Sequence, residues 1–141
     1  MTYENFDLEF VPYDVRTYKV CLAAVKRHGE DLGEVPWGHR TPHMCLVAVK
    51  QHGRALVDVP IPLKTPELCL IAVNNDGWNL IHVPEELKTP ELCLLAVNNE
   101  GYALGDVPLK LKTPELCLAA IKQRPVAIQF SPYSILELLS L

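Results

Sequence analysis

The five cysteines of this chain, Cys21, Cys45, Cys69, Cys93 and Cys117, lie 24 residues apart without exception. Gly29, Gly53, Gly77 and Gly101 keep the same period, as do the pairs Val35-Pro36, Val59-Pro60, Val83-Pro84 and Val107-Pro108. The string KTPELCL occurs at 64–70, 88–94 and 112–118. A unit this short cannot bury its own apolar face, so the copies must stack on one another.

In the copy that starts at Thr65, the threonine is an N-cap whose hydroxyl meets free backbone N–H groups. Pro66 takes the first helical position, where its missing N–H costs nothing. Glu67 complements the helix dipole in the first turn. Apolar residues follow through Val73, and Gly77 is the expected left-handed C-cap. The pattern predicts a first helix of about ten residues, then a second, shorter helix from about Trp78 to Val83. Pro84 then opens a turn, and Leu87 tucks back toward the core.

Leu68, Cys69, Leu70, Ala72 and Val73 span roughly 200° of the first helix, a sector suited to a helix held between two neighbours. Glu67, Ile71, Asn74 and Asn75 form the remaining edge. One column is alanine in every copy (Ala24, Ala48, Ala72, Ala96, Ala120), which lets successive helices approach closely. The expected fold class is therefore all-α: an α-solenoid, a right-handed superhelix of five stacked helix-turn-helix repeats forming one domain over 1–141. Residues 17–132 hold the repeats. Residues 1–16 read as a half-repeat cap, because Phe6, Leu8, Val11 and Pro12 fall in register with Trp78, Leu80, Val83 and Pro84. Residues 133–141 read as a C-terminal cap, where SILELLSL leaves the pattern. Pro125 stands where the turn glycine belongs and leaves the last unit's geometry open.

The formal charge of −4 opposes a general nucleic-acid binder, which carries a basic footprint. No apolar run reaches the ~18 residues of a membrane span. The segment MTYENFDLEF lacks a basic region followed by an apolar stretch, so a secretory signal is not expected. A cytoplasmic location follows as an expectation, with delivery as a secreted effector left open.

The unit TPELCLIAVNNDGWNLIHVPEELK at 65–88 resembles a family of short bacterial helical tandem repeats catalogued as a domain of unknown function. LAAVKRHG at 22–29 and LVAVKQHG at 46–53 are similar to that family's pattern, and the likeness runs over roughly 17–132. The resemblance implies an all-α superhelical array of bacterial or phage origin. Similar arrays occur in some secreted effectors of intracellular pathogens. It implies no catalytic residues.

Neighbouring copies should be about 9–10 Å apart. Zinc holds thiolates at about 2.3 Å and a disulfide needs Cα atoms within about 7 Å, so ladder cysteines suit neither. They read as buried small hydrophobes. His28 and His52 share a column at helix ends, away from the thiols, and suit the negative end of the dipole better than catalysis or metal binding. His39 and His43 are separated by the helix start at Thr41-Pro42. Glu85-Glu86, Asp58 and Asp106 read as solvated carboxylates rather than a paired acid and base. No phosphate loop, nucleophile elbow or HExxH motif is present. No enzyme activity, metal or cofactor is expected.

Function is expected in the columns that change between copies. The three residues before the turn run Lys26-Arg27-His28, Lys50-Gln51-His52, Asn74-Asn75-Asp76, Asn98-Asn99-Glu100 and Lys122-Gln123-Arg124. After the turn, Trp78 and Tyr102 occupy one column in adjacent copies, and aromatic residues are favoured interface anchors. The expected partner-binding residues are Trp78, Tyr102, Asn74, Asn75, Asn98 and Asn99, with Lys26, Arg27 and Lys50 as a second, basic patch. The column Ala23, Val47, Ile71, Leu95, Ala119 could add an apolar stripe or meet the terminal segment. The expected function is a non-catalytic protein-binding scaffold. Alternatives are a phage- or mobile-element-encoded inhibitor that sterically blocks a bacterial defence complex, a nucleic-acid binder through the basic patches, and an enzyme around His28 and His52. The apolar tail Ile135, Leu136, Leu138, Leu139, Leu141 could support a homodimer.

Overall fold

The computed structural model of the chain describes Tyr3 and residues 6–141. All regular secondary structure among these residues is helical, and the fold is an all-α solenoid of helix-turn-helix repeats. Its α-helices are α1 (Tyr18–Arg27), α2 (Pro42–Gln51), α3 (Pro66–Asn75), α4 (Pro90–Asn99), α5 (Pro114–Gln123) and α6 (Ile135–Leu139). Each of α1–α5 leads into a six-residue 3-10 helix, and the first four copies add a three-residue one after the Val-Pro pair. The chain divides into two compact units, Met1–Ala72 and Val73–Leu141.

Local chemistry sets each helix start. The hydroxyls of Thr17, Thr41, Thr65, Thr89 and Thr113 accept the backbone N–H three residues on, at 3.1–3.3 Å. These bonds satisfy one of the free donors that every helix start leaves. Ser134 caps α6 in the same way and completes a capping box with Glu137. The core is built from columns. Leu8, Leu32, Leu56, Leu80 and Leu104 are fully buried, and Val11, Val35, Val59, Val83 and Val107 are buried beside them. The half-repeat at the N-terminus thus supplies Leu8 and Val11 in register.

Three expectations change. The second helix is 3-10 rather than α, and it runs over Gly77–His82. Its six residues sit between an extended Asp76 and the Val83-Pro84 pair and close i→i+3 bonds at both ends, from the Asn79 N–H to the Asp76 carbonyl at 3.0 Å and from the Val83 N–H to the Leu80 carbonyl at 3.1 Å. The glycine is not a left-handed cap, since no described glycine has positive φ. It is needed for room. A Cβ on Gly29 would lie 2.5 Å from the Ala48 carbonyl oxygen, and one on Gly101 would lie 2.5 Å from that of Ala120. Gly77 meets Ala96 in the same way. At these three glycines one copy's turn presses on the next copy's helix. Pro125 replaces the glycine in the fifth copy, and its 3-10 helix Pro125–Phe130 keeps the form of the others. The third change concerns the Leu70 column. Leu70 is 50% exposed and Leu94 42%, so this leucine lies on the open side of the α-helices and the core sector is narrower than expected.

A cation column, directly before the cap threonine of each copy, helps to close the stack. Arg16, Arg40, Lys64, Lys88 and Lys112 repeat with the 24-residue period. Arg40 Nη1 donates to the Asp58 carbonyl at 2.7 Å, Lys88 Nζ to that of Asp106 at 2.8 Å and Lys112 Nζ to that of Phe130 at 2.9 Å. Arg16 reaches Glu34 likewise, at 2.7 Å. Each acceptor is the last residue of the next copy's 3-10 helix, so the cation binds carbonyls at the negative end of that helix.

The five cysteines are free and fully buried. Burial pushes the Cys45 and Cys93 thiols up to about 11, against a smaller opposing pull from Arg40 and Lys88. The Cys21 and Cys69 thiols are raised for the same reason. A disulfide-exchange reagent at neutral pH should therefore label the native chain at least ~100-fold more slowly than the denatured chain. Equal rates, followed by absorbance of the released thiolate, would contradict this packing.

Candidate functional site

The second unit carries an aromatic platform. Trp78 and Tyr102 are each the second residue of a 3-10 helix, directly after the close-approach glycine. The backbone N–H of Trp78 donates to Asp76 Oδ1 at 3.0 Å, and that of Tyr102 to Glu100 Oε1 at 3.2 Å. The two rings stack with centroids 5.8 Å apart and an interplanar angle of 27°. Phe130 meets the edge of Tyr102 at 6.2 Å. Such aromatic pairs add about 0.5–1.5 kcal/mol beyond the area they bury.

Glu100 organises the cluster. Its carboxylate accepts Arg124 Nε at 2.9 Å and Nη2 at 3.2 Å, a two-pronged pair, and it also accepts a hydrogen bond from the Trp78 side chain. Arg124 lies over the Tyr102 ring at 4.9 Å. Burial alone would raise the Glu100 carboxyl. The hydrogen bonds from Arg124 and the Tyr102 N–H, the Arg124 charge and the Trp78 bond outweigh that and hold it below the usual carboxylate range.

A pH dependence follows. The unfolded chain has the ordinary glutamate value of about 4.3, so the folded state gains stability from ionised Glu100 fully above that value. The gain is lost as pH falls through the lowered folded value. The stability difference between wild type and Glu100→Gln, followed by denaturant unfolding, should be constant at neutral pH and shrink below about pH 4. A difference that grows on acidification would contradict the assignment.

The remaining expected contact residues fall in two places. Asn74 and Asn75 end α3, Asn98 and Asn99 end α4, and all four are exposed. Asn98 borders an open groove shared with Glu115, Leu118 and Lys122. Asn99 also contributes to stacking, donating Nδ2 to the Val73 carbonyl at 3.4 Å. Lys26, Arg27 and Lys50 lie in the first unit, at the ends of α1 and α2. Lys26 and Lys50 are exposed, whereas Arg27 is half-buried and donates Nη2 to the Phe6 carbonyl at 2.6 Å. Gln51 and Gln123, in the same column, bind the terminal carbonyls of the preceding helix at Lys26, Arg27 and Asn99. One of the columns expected to vary freely therefore also fastens successive copies.

Other candidates stand apart. His28 is exposed, with Nε2 3.9 Å from Asp7 Oδ1. Among the described residues, no group of three His, Cys, Asp or Glu is placed to hold a metal ion, and no helix is long and apolar enough to cross a membrane. Ile135, Leu136, Leu139 and Leu141 are exposed and Leu138 is buried.

The family model of the domain of unknown function DUF4116 matches residues 65–112 and again 89–136, two overlapping stretches that together span half of the chain. The chain belongs to the DUF4116 family. Each match covers two consecutive copies, so the DUF4116 domain corresponds here to a stacked pair, and the two matches share the α4 copy. No match is found among the curated proteins or the solved structures.

The columns of the DUF4116 repeat single out Trp78 and Tyr102 but not the groups that fix them. Phe130 carries no signal, because the equivalent positions are Glu34, Asp58, His82 and Asp106. Glu100 and Arg124 sit one period apart, with opposite charges in one column, and that alternation is the available clue.

Proposed function

We propose that this DUF4116 array is a non-catalytic scaffold that binds a protein partner, with the Trp78–Tyr102 platform as its main contact. The observation that carries the reading is the stacked pair itself. Trp78 is 48% exposed, yet its ring is held by Tyr102 and Glu100. A large aromatic group fixed before binding gives up little conformational entropy when a partner covers it. Asn74, Asn75, Asn98 and Asn99 supply polar groups of the kind found at an interface rim. The reading assigns the chain to a reducing compartment, the cytoplasm, and five unpaired thiols in one column support it.

The test is affinity capture from the native organism with the full chain. The Trp78→Ala/Tyr102→Ala variant should lose the captured protein, with Kd weakened on the order of 100-fold, as for paired hot-spot anchors. Capture equal to wild type by a variant with an unchanged melting curve would remove the assignment.

A further inference from the structure

Along α5 in the second unit, Glu115, Leu118, Ala119 and Lys122 fall at i, i+3, i+4 and i+7 and so lie on one side of the helix. All four line one open groove, together with Asn98 of α4 and Gln123. Glu115 and Lys122 are exposed, and Leu118 and Ala119 are half-buried. At a rise of about 1.5 Å per residue, the two charged residues stand about 10 Å apart along the helix, too far to pair with one another.

Two features set this stripe apart from the same stripe in the other copies. The first is charge. The two end positions are Lys19 and Lys26 in α1, His43 and Lys50 in α2, Glu67 and Asn74 in α3, and Glu91 and Asn98 in α4. Among α1–α5, only α5 has an acid at one end and a base at the other. The second is size. The position of Ala119 holds Val47, Ile71 and Leu95 in α2, α3 and α4. In α5 the large Leu118 therefore stands beside a small residue, a knob next to a hole.

A stripe of this kind is complementary to itself. Its centre falls between Leu118 and Ala119. A two-fold axis at that point, with the helices antiparallel, sets Glu115 against Lys122 of a second copy and Leu118 against that copy's Ala119, and each contact occurs twice. A parallel arrangement would bring Glu115 onto Glu115 and Lys122 onto Lys122, so like charges oppose it. We infer that the chain self-associates through the open face of α5, as an antiparallel two-fold dimer. The apolar contacts supply the affinity, and the charges fix register and direction. The inference goes beyond the scaffold reading and makes no use of the Trp78–Tyr102 platform.

The test is sedimentation equilibrium of the full chain and its variants. The wild type should show a monomer–dimer equilibrium with Kd on the order of 100 µM, as suits a small interface. Glu115→Lys and Lys122→Glu should each weaken the dimer at least about tenfold, because each sets like charges together. An equimolar mixture of these two variants should recover the wild-type affinity, since every charged contact between the unlike chains is again an acid with a base. The double exchange Glu115→Lys/Lys122→Glu should recover it in a single chain. Ala119→Leu installs the residue that α4 carries at that position, so the fold tolerates it, and filling the hole should weaken the dimer at least about tenfold. Trp78→Ala/Tyr102→Ala should dimerise as wild type, so this inference and the scaffold reading can fail separately. The inference is overturned by a chain that stays monomeric up to about 1 mM, by single charge variants that dimerise as wild type, or by variants that do not recover on mixing. It is also overturned if Leu136→Ser/Leu139→Ser abolishes a dimer that the charge variants keep, which places the contact on α6, or if the platform variant abolishes it.

Discussion

Replacing Arg40 with alanine is expected to destabilise the first unit by about 3–5 kcal/mol. Arg40 is 8% exposed, and its guanidinium donates to three backbone carbonyls: Val35 at 2.8 Å, Asp58 at 2.7 Å and Gly33 at 3.0 Å. Its planar group also lies over the Trp37 ring at 4.3 Å. A hydrogen bond to a charged group is worth about 1.5–3 kcal/mol, and bonds from one side chain add less than fully. The loss leaves three acceptors in a site closed to water on most sides. Arg40→Lys is expected to cost less than half as much. Lys88 and Lys112 occupy this column in later copies and still reach the carbonyl at the end of the next 3-10 helix. A lysine at 40 would keep that bond and give up the fork to Val35 and Gly33. Denaturant unfolding of wild type, Arg40→Lys and Arg40→Ala should rank them in that order. Equal stability of all three would show that the cation column does not hold the stack.

Gly101→Ala is the second change expected to have a large effect, at about 2–4 kcal/mol. The added Cβ would stand 2.5 Å from the Ala120 carbonyl oxygen and 2.9 Å from the Arg124 Cβ. The first obstacle is a backbone carbonyl in the last turn of α5, already bonded to the Arg124 N–H at 2.8 Å, so it cannot turn aside as a side chain can. The cost owes nothing to backbone strain, because the glycine has ordinary negative φ. Gly38 provides the contrast. A Cβ there meets nothing within 4 Å, so Gly38→Ala should be neutral or slightly stabilising through the unfolded chain. Thermal melts of the two variants measure the difference. A Gly101→Ala chain as stable as Gly38→Ala would mean that the copies do not press together at this glycine.

These two positions also mark how far the sequence can be read. The threonine caps, the buried cysteine ladder and the half-repeat holding Leu8 and Val11 follow from residue type and period alone. The role of the glycine does not. A glycine after a helix suits either a left-handed cap or a close approach, and the Ala120 carbonyl that decides between them lies in another copy. The cations before each threonine look like solvated surface charges in sequence. Only the stacked arrangement of copies shows that Lys88 spans to Asp106. Leu70 reads as core because its hydrophobicity widens the apolar sector, although a leucine on an open face looks the same in sequence as one inside. In the platform, Trp78 and Tyr102 are legible because they break a repeating column. Glu100, Arg124 and Phe130 are not, because their convergence depends on how far one copy is displaced from the next.

The repeated columns stack the chain, and a partner is expected to bind through the exposed residues that the stack holds in place. Hydrogen–deuterium exchange on the full chain, alone and with the protein it captures, tests this division most directly. Protection on binding should appear around Trp78 and Tyr102 and the ends of α3 and α4. The slow exchange of the buried helix centres should be unchanged. Protection spread evenly over every copy, or absent from the segments carrying Trp78 and Tyr102, would contradict it.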